Sequence, residues 1–180
     1  MTERLILVSG ACGSGKTELR RVAVACPHPS LGPTAGIEVD DVYMMADPTF
    51  DRPWPEAADY WSLARRQCAH LSRSFFEAGF ETVLVVGNSL HVREDLAPFL
   101  DLGVEVSHVT LASSLAALTE RMARRGDRDK TPEWLRAHMD YMQPFYDEGW
   151  SALIDNSAMT VEATVDAVAG VVVAGRAALS

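Results

Sequence analysis

The chain reads as an α/β protein, a five-stranded parallel sheet with helices on both faces. Three observations predict this. Short apolar runs alternate with amphipathic segments along the whole chain, the apolar runs lack the polar alternation of half-exposed strands, and breaker-rich stretches separate them. A length of 180 residues, 48% of them hydrophobic and 23% charged, fits a single domain spanning 1–180 with a full core.

Leu5-Ile6-Leu7-Val8 is a buried strand that ends at Ser9-Gly10, and a Gly-rich turn leads from it into a helix beginning at Thr17. Pro27, Pro29, Gly32, Pro33 and Gly36 stop that helix near Cys26. Ile37-Glu38-Val39-Asp40 is a short second strand, expected beside the first. Residues 47–55 hold three prolines and read as an ordered loop. Trp61, Ala64, Cys68, Leu71 and Phe75 recur at helical spacing within 57–76, and Gly79 sits where that helix should stop.

Residues 82–88 are a third strand buried on both faces, residues 92–100 a helix, and residues 104–111 a fourth strand. Ser113 or Ser114 caps a helix running to about Arg125. The charged break Gly126-Asp127-Arg128-Asp129-Lys130 is a hinged loop, a lid at about 126–131, after which Thr131 and Pro132 supply the N-cap and first position of another helix. Residues 152–155 form a fifth strand and 160–179 a closing helix with Glu162, Asp166 and Arg176 on its polar face. In such a sheet the functional edge lies at the C-terminal ends of the strands.

A formal net charge of −9 argues against a nucleic-acid binder, which neutralises phosphates with clustered cations. No uncharged apolar run reaches the ~20 residues of a membrane span, and the apolar run after Arg4 is too short for a signal peptide. Cys12, Cys26 and Cys68 have neither disulfide-framework nor zinc spacing, so a reducing, cytoplasmic setting is expected. Of 16 cations, 14 are Arg, and Lys16 and Lys130 are the two lysines. A position that keeps Lys can need a compact charge on a flexible stem.

Gly10-Ala11-Cys12-Gly13-Ser14-Gly15-Lys16-Thr17 satisfies G-x-x-x-x-G-K-[ST] and lies between a strand and a helix, as its mechanism requires. The glycines let the backbone wrap a phosphate, successive N–H groups and the helix N-terminus supply positive potential, Lys16 reaches the β- and γ-phosphates, and Thr17 ligates Mg²⁺. Cys12 is a space filler rather than a redox group.

That loop, with the segment at 37–40 and His108-Val109-Thr110-Leu111-Ala112-Ser113, resembles the small P-loop kinases: adenylate, shikimate and gluconate kinases and the antibiotic phosphotransferases. It is most similar to the chloramphenicol phosphotransferase-like and tunicamycin-resistance-like ATP-binding proteins. The resemblance implies the P-loop NTPase three-layer sandwich, ATP and Mg²⁺, and transfer of the γ-phosphoryl group to a hydroxyl of a small molecule, with an antibiotic, a nucleoside antibiotic included, among the candidates in a resistance or self-resistance role. A metabolic sugar, nucleoside or shikimate-like acid is the alternative acceptor, and a non-catalytic ATP-binding regulator the alternative class. The expected partner is the small-molecule acceptor, with the chain a monomer or homodimer.

Glu38, Asp40 and Asp41 cluster where kinases of this group keep an acid for the acceptor hydroxyl, and Asp40 is the candidate base and a candidate metal ligand beside Thr17. The competing reading makes Asp40 or Asp41 a helix N-cap. The third strand runs into Gly87-Asn88-Ser89 with no Asp for the metal, which leaves Asn88 free to touch substrate. Arg121, Arg124, Arg125, Arg128 and Lys130 crowd five cations into ten residues. Arg121 and Arg125 share a helix face and are expected at ATP, and Arg125 and Arg128 at the transferring phosphoryl group, against a solvated helix end as the alternative. The Asp155-Asn156-Ser157 segment is open between adenine contact and capping. Trp54, Tyr60 and Trp61 are candidates for the acceptor pocket, Trp61 with core packing favoured. Trp134, His138, Tyr141 and Phe145 align on one helical face, read as buried structure ahead of a pocket wall.

Overall fold

The computed structural model of the chain describes residues 3–53, 55–126 and 130–179. Five strands, β1 (Arg4–Gly10), β2 (Thr34–Glu38), β3 (Thr82–Val86), β4 (Glu105–Leu111) and β5 (Ala152–Ile154), pair in parallel in the order β2-β3-β1-β4-β5. The helices are α1 (Lys16–Ala25), α2 (Val39–Met44), α3 (Glu56–Glu77), α4 (Ala97–Leu100), α5 (Leu115–Arg125), α6 (Pro132–Asp147) and α7 (Val161–Val173).

The pleat divides the apolar runs between two cores. Leu5 and Leu7 of β1 and Val83 and Val85 of β3 pack with Val42 and Tyr43 of α2 and Ala64, Cys68 and Phe76 of α3. Their alternates Ile6, Val8, Leu84 and Val86 face Leu19 and Ala23 of α1 and Val165, Val168 and Val172 of α7. This is why the strands read as continuous apolar runs. A third cluster, Ala11, Leu118, Met122 and Leu135, with Cys12 packed against it, seats the loop after β1 on α5 and α6. Cys12 is the packing residue expected of it.

Ser114 caps α5 by accepting from Ala117 N, Thr131 caps α6 from Trp134 N, and Thr160 caps α7 from Ala163 N. The left-handed Gly79 and Gly126 follow α3 and α5. No helix among the described residues is long and apolar enough to cross a membrane.

Several boundaries differ from expectation. The second strand ends at Glu38, because Val39 opens α2 and packs on Gly87, where a Cβ would lie 2.9 Å from the Val39 Cβ. β2 lies beside β3, not β1. Residues 92–100 are a short 3₁₀ turn, Arg93–Leu96, followed by the single turn of α4, rather than one helix. The last helix stops at Val173, so Arg176 lies beyond it, and Ala178 bridges Ser107 on β4. Of the lid expected at 126–131, residues 127–129, Arg128 included, lie outside the described residues.

A buried polar chain crosses the sheet beneath its C-terminal edge. His108 contacts Leu90 O through Nε2 (2.9 Å) and Ser151 Oγ through Nδ1 (2.7 Å), Ser151 Oγ lies 2.8 Å from Thr110 Oγ1, and Thr110 Oγ1 lies 2.8 Å from Ser9 Oγ. The Leu90 carbonyl only accepts, so Nε2 carries the proton and Nδ1 accepts from Ser151. Ser151 then accepts from Thr110, and Thr110 from Ser9. Burial pushes the His108 pKa down to about 4, which keeps the ring neutral.

Candidate active site

The loop between β1 and α1 is shaped by glycine. Gly10, Gly13 and Gly15 have φ of +142°, +84° and +95°, and a Cβ on Gly10 would come within 2.7 Å of Leu111 O. Lys16 turns back into the loop, with Nζ 2.7 Å from Gly10 O and 3.1 Å from Ala11 O. Burial lowers its pKa, opposed by the charges of Cys12, Asp40 and Glu38.

Two acids, Glu38 and Asp40, lie within electrostatic reach of Lys16. Glu38, at the end of β2, accepts from Thr17 Oγ1 (2.6 Å) and Arg20 Nη2 (3.3 Å), one to each carboxylate oxygen. It therefore sits on Thr17 rather than facing outward toward an acceptor. Asp40 lies in the first turn of α2 with its Oδ1 buried and without a hydrogen-bond partner. Burial raises its pKa, Lys16 pulls it back, and Glu38 and Asp41 raise it further. Asp41 itself is exposed, which separates the two neighbours. Neither acid is the N-cap, since Glu38 holds that position and its side chain makes no capping bond.

One side of the loop opens on a cleft of about 910 Å³, lined among others by Lys16, Thr17, Arg121, Arg125 and Asn156. Arg121 donates to Ser14 O (3.2 Å), Ser113 Oγ (2.9 Å) and Asn156 O (2.6 Å). Asn156 Nδ2 adds a bond to Ser14 O at 2.9 Å. Arg121 and Asn156 thus brace the loop from beneath. Arg125 is exposed along the same cleft, while Arg124 turns away and pairs with Glu120.

The other side is formed by Asn88 and Ser89 after β3 and by α6. Asn88 Oδ1 and Ser89 Oγ are buried without partners, and Asn88 Nδ2 lies 3.4 Å from His138 Nε2. The rings of Trp134, His138 and Tyr141 do not form the buried face expected of them. Trp134 is 37% and Tyr141 55% exposed, and the helix buries Leu135 and Met142 instead. Trp61 does pack in the core, stacked on Tyr43 at 4.1 Å. Tyr60 joins that aromatic cluster and carries the Arg52 guanidinium over one ring face at 4.0 Å. Trp54 lies outside the described residues.

No family model and no curated protein matches the chain, so the likeness to known proteins rests on solved structures. The tunicamycin resistance protein of Deinococcus radiodurans superposes with a TM-score of 0.68 at 19% identity, covering 94% of this chain and 95% of that one. Shikimate kinase from Acinetobacter baumannii gives 0.62 at 16% identity, covering 97% and 95%. A gluconokinase from Sinorhizobium meliloti 1021 gives 0.58 at 22% identity, covering 96% and 92%. The chain has the P-loop kinase fold.

In a P-loop kinase fold the strand–loop–helix cradle is where a nucleotide's phosphates bind, and the residues here suit them. Side-chain-free glycine backbone lines the cradle, Lys16 supplies a compact charge, and a hydroxyl and carboxylate pair, Thr17 and Glu38, offers the hard oxygen donors that Mg²⁺ takes. The described residues hold no cluster of three or more His, Cys, Asp or Glu able to cage a metal by themselves. A metal here would share its ligands with phosphate. The sequence did not pair Glu38 with Thr17, a contact between residues 21 apart that no local pattern records.

Proposed function

We propose that the chain is an ATP- and Mg²⁺-dependent phosphotransferase that moves the γ-phosphoryl group to a hydroxyl of a small molecule. The observation that carries this is Asp40, whose Oδ1 is buried without a hydrogen-bond partner and whose carboxylate lies within electrostatic reach of Lys16. A nucleotide needs no such group merely to bind.

In this reading the N–H groups of residues 13–17 and Lys16 hold the β- and γ-phosphates, and the cleft beside Arg121 and Asn156 takes the nucleoside. Thr17, Glu38 and Asp40 are the groups available to Mg²⁺, which when bound neutralises phosphate charge. Asp40 accepts the proton of the acceptor hydroxyl as that oxygen bonds to the γ-phosphorus. The bond from phosphorus to the β,γ-bridging oxygen breaks, and ADP leaves. Its raised pKa strengthens Asp40 as a base. Lys16, Arg125 and Arg128 offset charge on the transferring group.

The likeness to a tunicamycin resistance protein supports an antibiotic as acceptor, and the likenesses to shikimate kinase and gluconokinase support one from ordinary metabolism. The test is calorimetric ATP uptake in magnesium buffer, followed by ADP release with and without candidate acceptors. Acceptor-dependent release is expected. Uptake with no phosphorylated product from a broad screen of antibiotics, sugars, nucleosides and acids would make this a binding protein, and no uptake would end the reading.

A further inference from the structure

Resting on the kinase reading, we propose that Arg121 and Asn156 are positioning residues for the nucleotide: both act through the Ser14 carbonyl, and by holding it they turn the Gly15 N–H toward the phosphates. Two side-chain donors meet on that one oxygen, Arg121 Nη1 at 3.2 Å and Asn156 Nδ2 at 2.9 Å. Arg121 comes from α5 and Asn156 from the segment after β5, so two separate elements converge on a single carbonyl.

Peptide geometry supplies the consequence. A trans peptide points its C=O and its N–H in opposite directions, so donors fixed on Ser14 O set the direction of the Gly15 N–H. Gly13 and Gly15, at φ +84° and +95°, stand on either side of Ser14. The freedom that lets glycine wrap a phosphate also lets the Ser14–Gly15 peptide rotate, and a rotated one would present a carbonyl oxygen to an anion. The two donors oppose that rotation.

The donors are themselves fixed. Arg121 also donates to Ser113 Oγ (2.9 Å) and to Asn156 O (2.6 Å), and Ser113 Oγ donates to Asn156 Oδ1. Ser14, Ser113 and Asn156 are all buried, at 0%, 5% and 3% exposure, so water does not compete for these bonds. An Arg121 moved onto a phosphate would give up its bonds to Ser14, Ser113 and Asn156 together. The residue expected from sequence to meet ATP directly therefore serves ATP through the loop that holds it.

The test is calorimetry on the full chain in magnesium buffer with two probes, ATP and inorganic tripolyphosphate, which has the phosphates but no base or sugar. Asn156→Ala should weaken both probes by the same factor, about tenfold, as loss of one buried hydrogen bond implies. Arg121→Lys keeps the charge but cannot hold three groups at once, and should weaken both by a similar factor. In the wild type, the Gly15 amide proton should move downfield in NMR spectra when tripolyphosphate is added, a readout that needs no variant. With ATP uptake by the wild type intact, four results would each overturn the proposal alone. They are ATP weakened by Asn156→Ala with tripolyphosphate unmoved, full affinity in Arg121→Lys, an unshifted Gly15 amide, and a wild type that ignores tripolyphosphate. Variants that lose stability to urea yet keep both affinities within about twofold would likewise reduce the pair to a structural role. Absence of ATP uptake by the wild type would instead remove the kinase reading and the proposal with it.

Discussion

The two sides of Lys16 are built on opposite terms. On the proposed nucleotide side the protein has largely bonded itself in advance, Ser14 Oγ excepted: Lys16 holds two loop carbonyls, Asn156 and Arg121 share Ser14 O, and Ser113 bonds Asn156. On the proposed acceptor side Asp40, Asn88 and Ser89 keep buried oxygens without partners beside half-exposed rings. A triphosphate is the same in every such protein, and rigid prior assembly lowers the cost of ordering its site. The acceptor is the variable, and unsatisfied groups discriminate best, because a wrong ligand leaves them unpaired.

The largest test of this contrast sets Lys16→Ala against Asp40→Asn. Lys16→Ala should lose ATP uptake and lower kcat/KM by about 100-fold or more. Asp40→Asn should keep calorimetric ATP affinity while kcat falls about 100-fold. Equal loss of ATP affinity in both would erase the division between the two sides.

A smaller effect concerns the hydrogen-bonded chain under the edge. Folding holds the His108 pKa near 4, below the usual ~6.5 of an imidazole, so the unfolded chain binds the extra proton between those values. Stability from this group is complete above about pH 6.5 and declines as pH falls toward 4, by a few kcal/mol at most. Urea unfolding of the wild type and His108→Gln at pH 7 and 4.5 should show a shallower pH dependence in the variant. The smallest effect is expected at Arg124, paired with Glu120 where both side chains are about two-thirds exposed: Arg124→Ala should shift stability by less than about 0.5 kcal/mol in the same assay.

The half of the site that the sequence made legible is the half encoded locally. Gly10 through Thr17 are contiguous, their chemistry follows from spacing, and the strand before and the helix after are set by short-range patterns. Asp40 was legible as a candidate, but not its separation from Asp41, which depends on where β2 gives way to α2. That boundary is decided by Val39 meeting Gly87, a contact 48 residues away in the chain. Strand order eluded local reading for the same reason, because neither β1 nor β2 records that β3 comes between them. The ring row of α6 was visible as a periodic face, yet periodicity cannot tell a face turned to the core from one turned outward.

The interposed strand has a use. Were β2 next to β1, the acid of α2 and the lysine of the loop would stand one strand spacing apart, about 4.8 Å, close enough to collapse into a neutral ion pair. With β3 as a spacer the two charges influence each other without forming an ion pair, a separation that suits the proposed transfer between them.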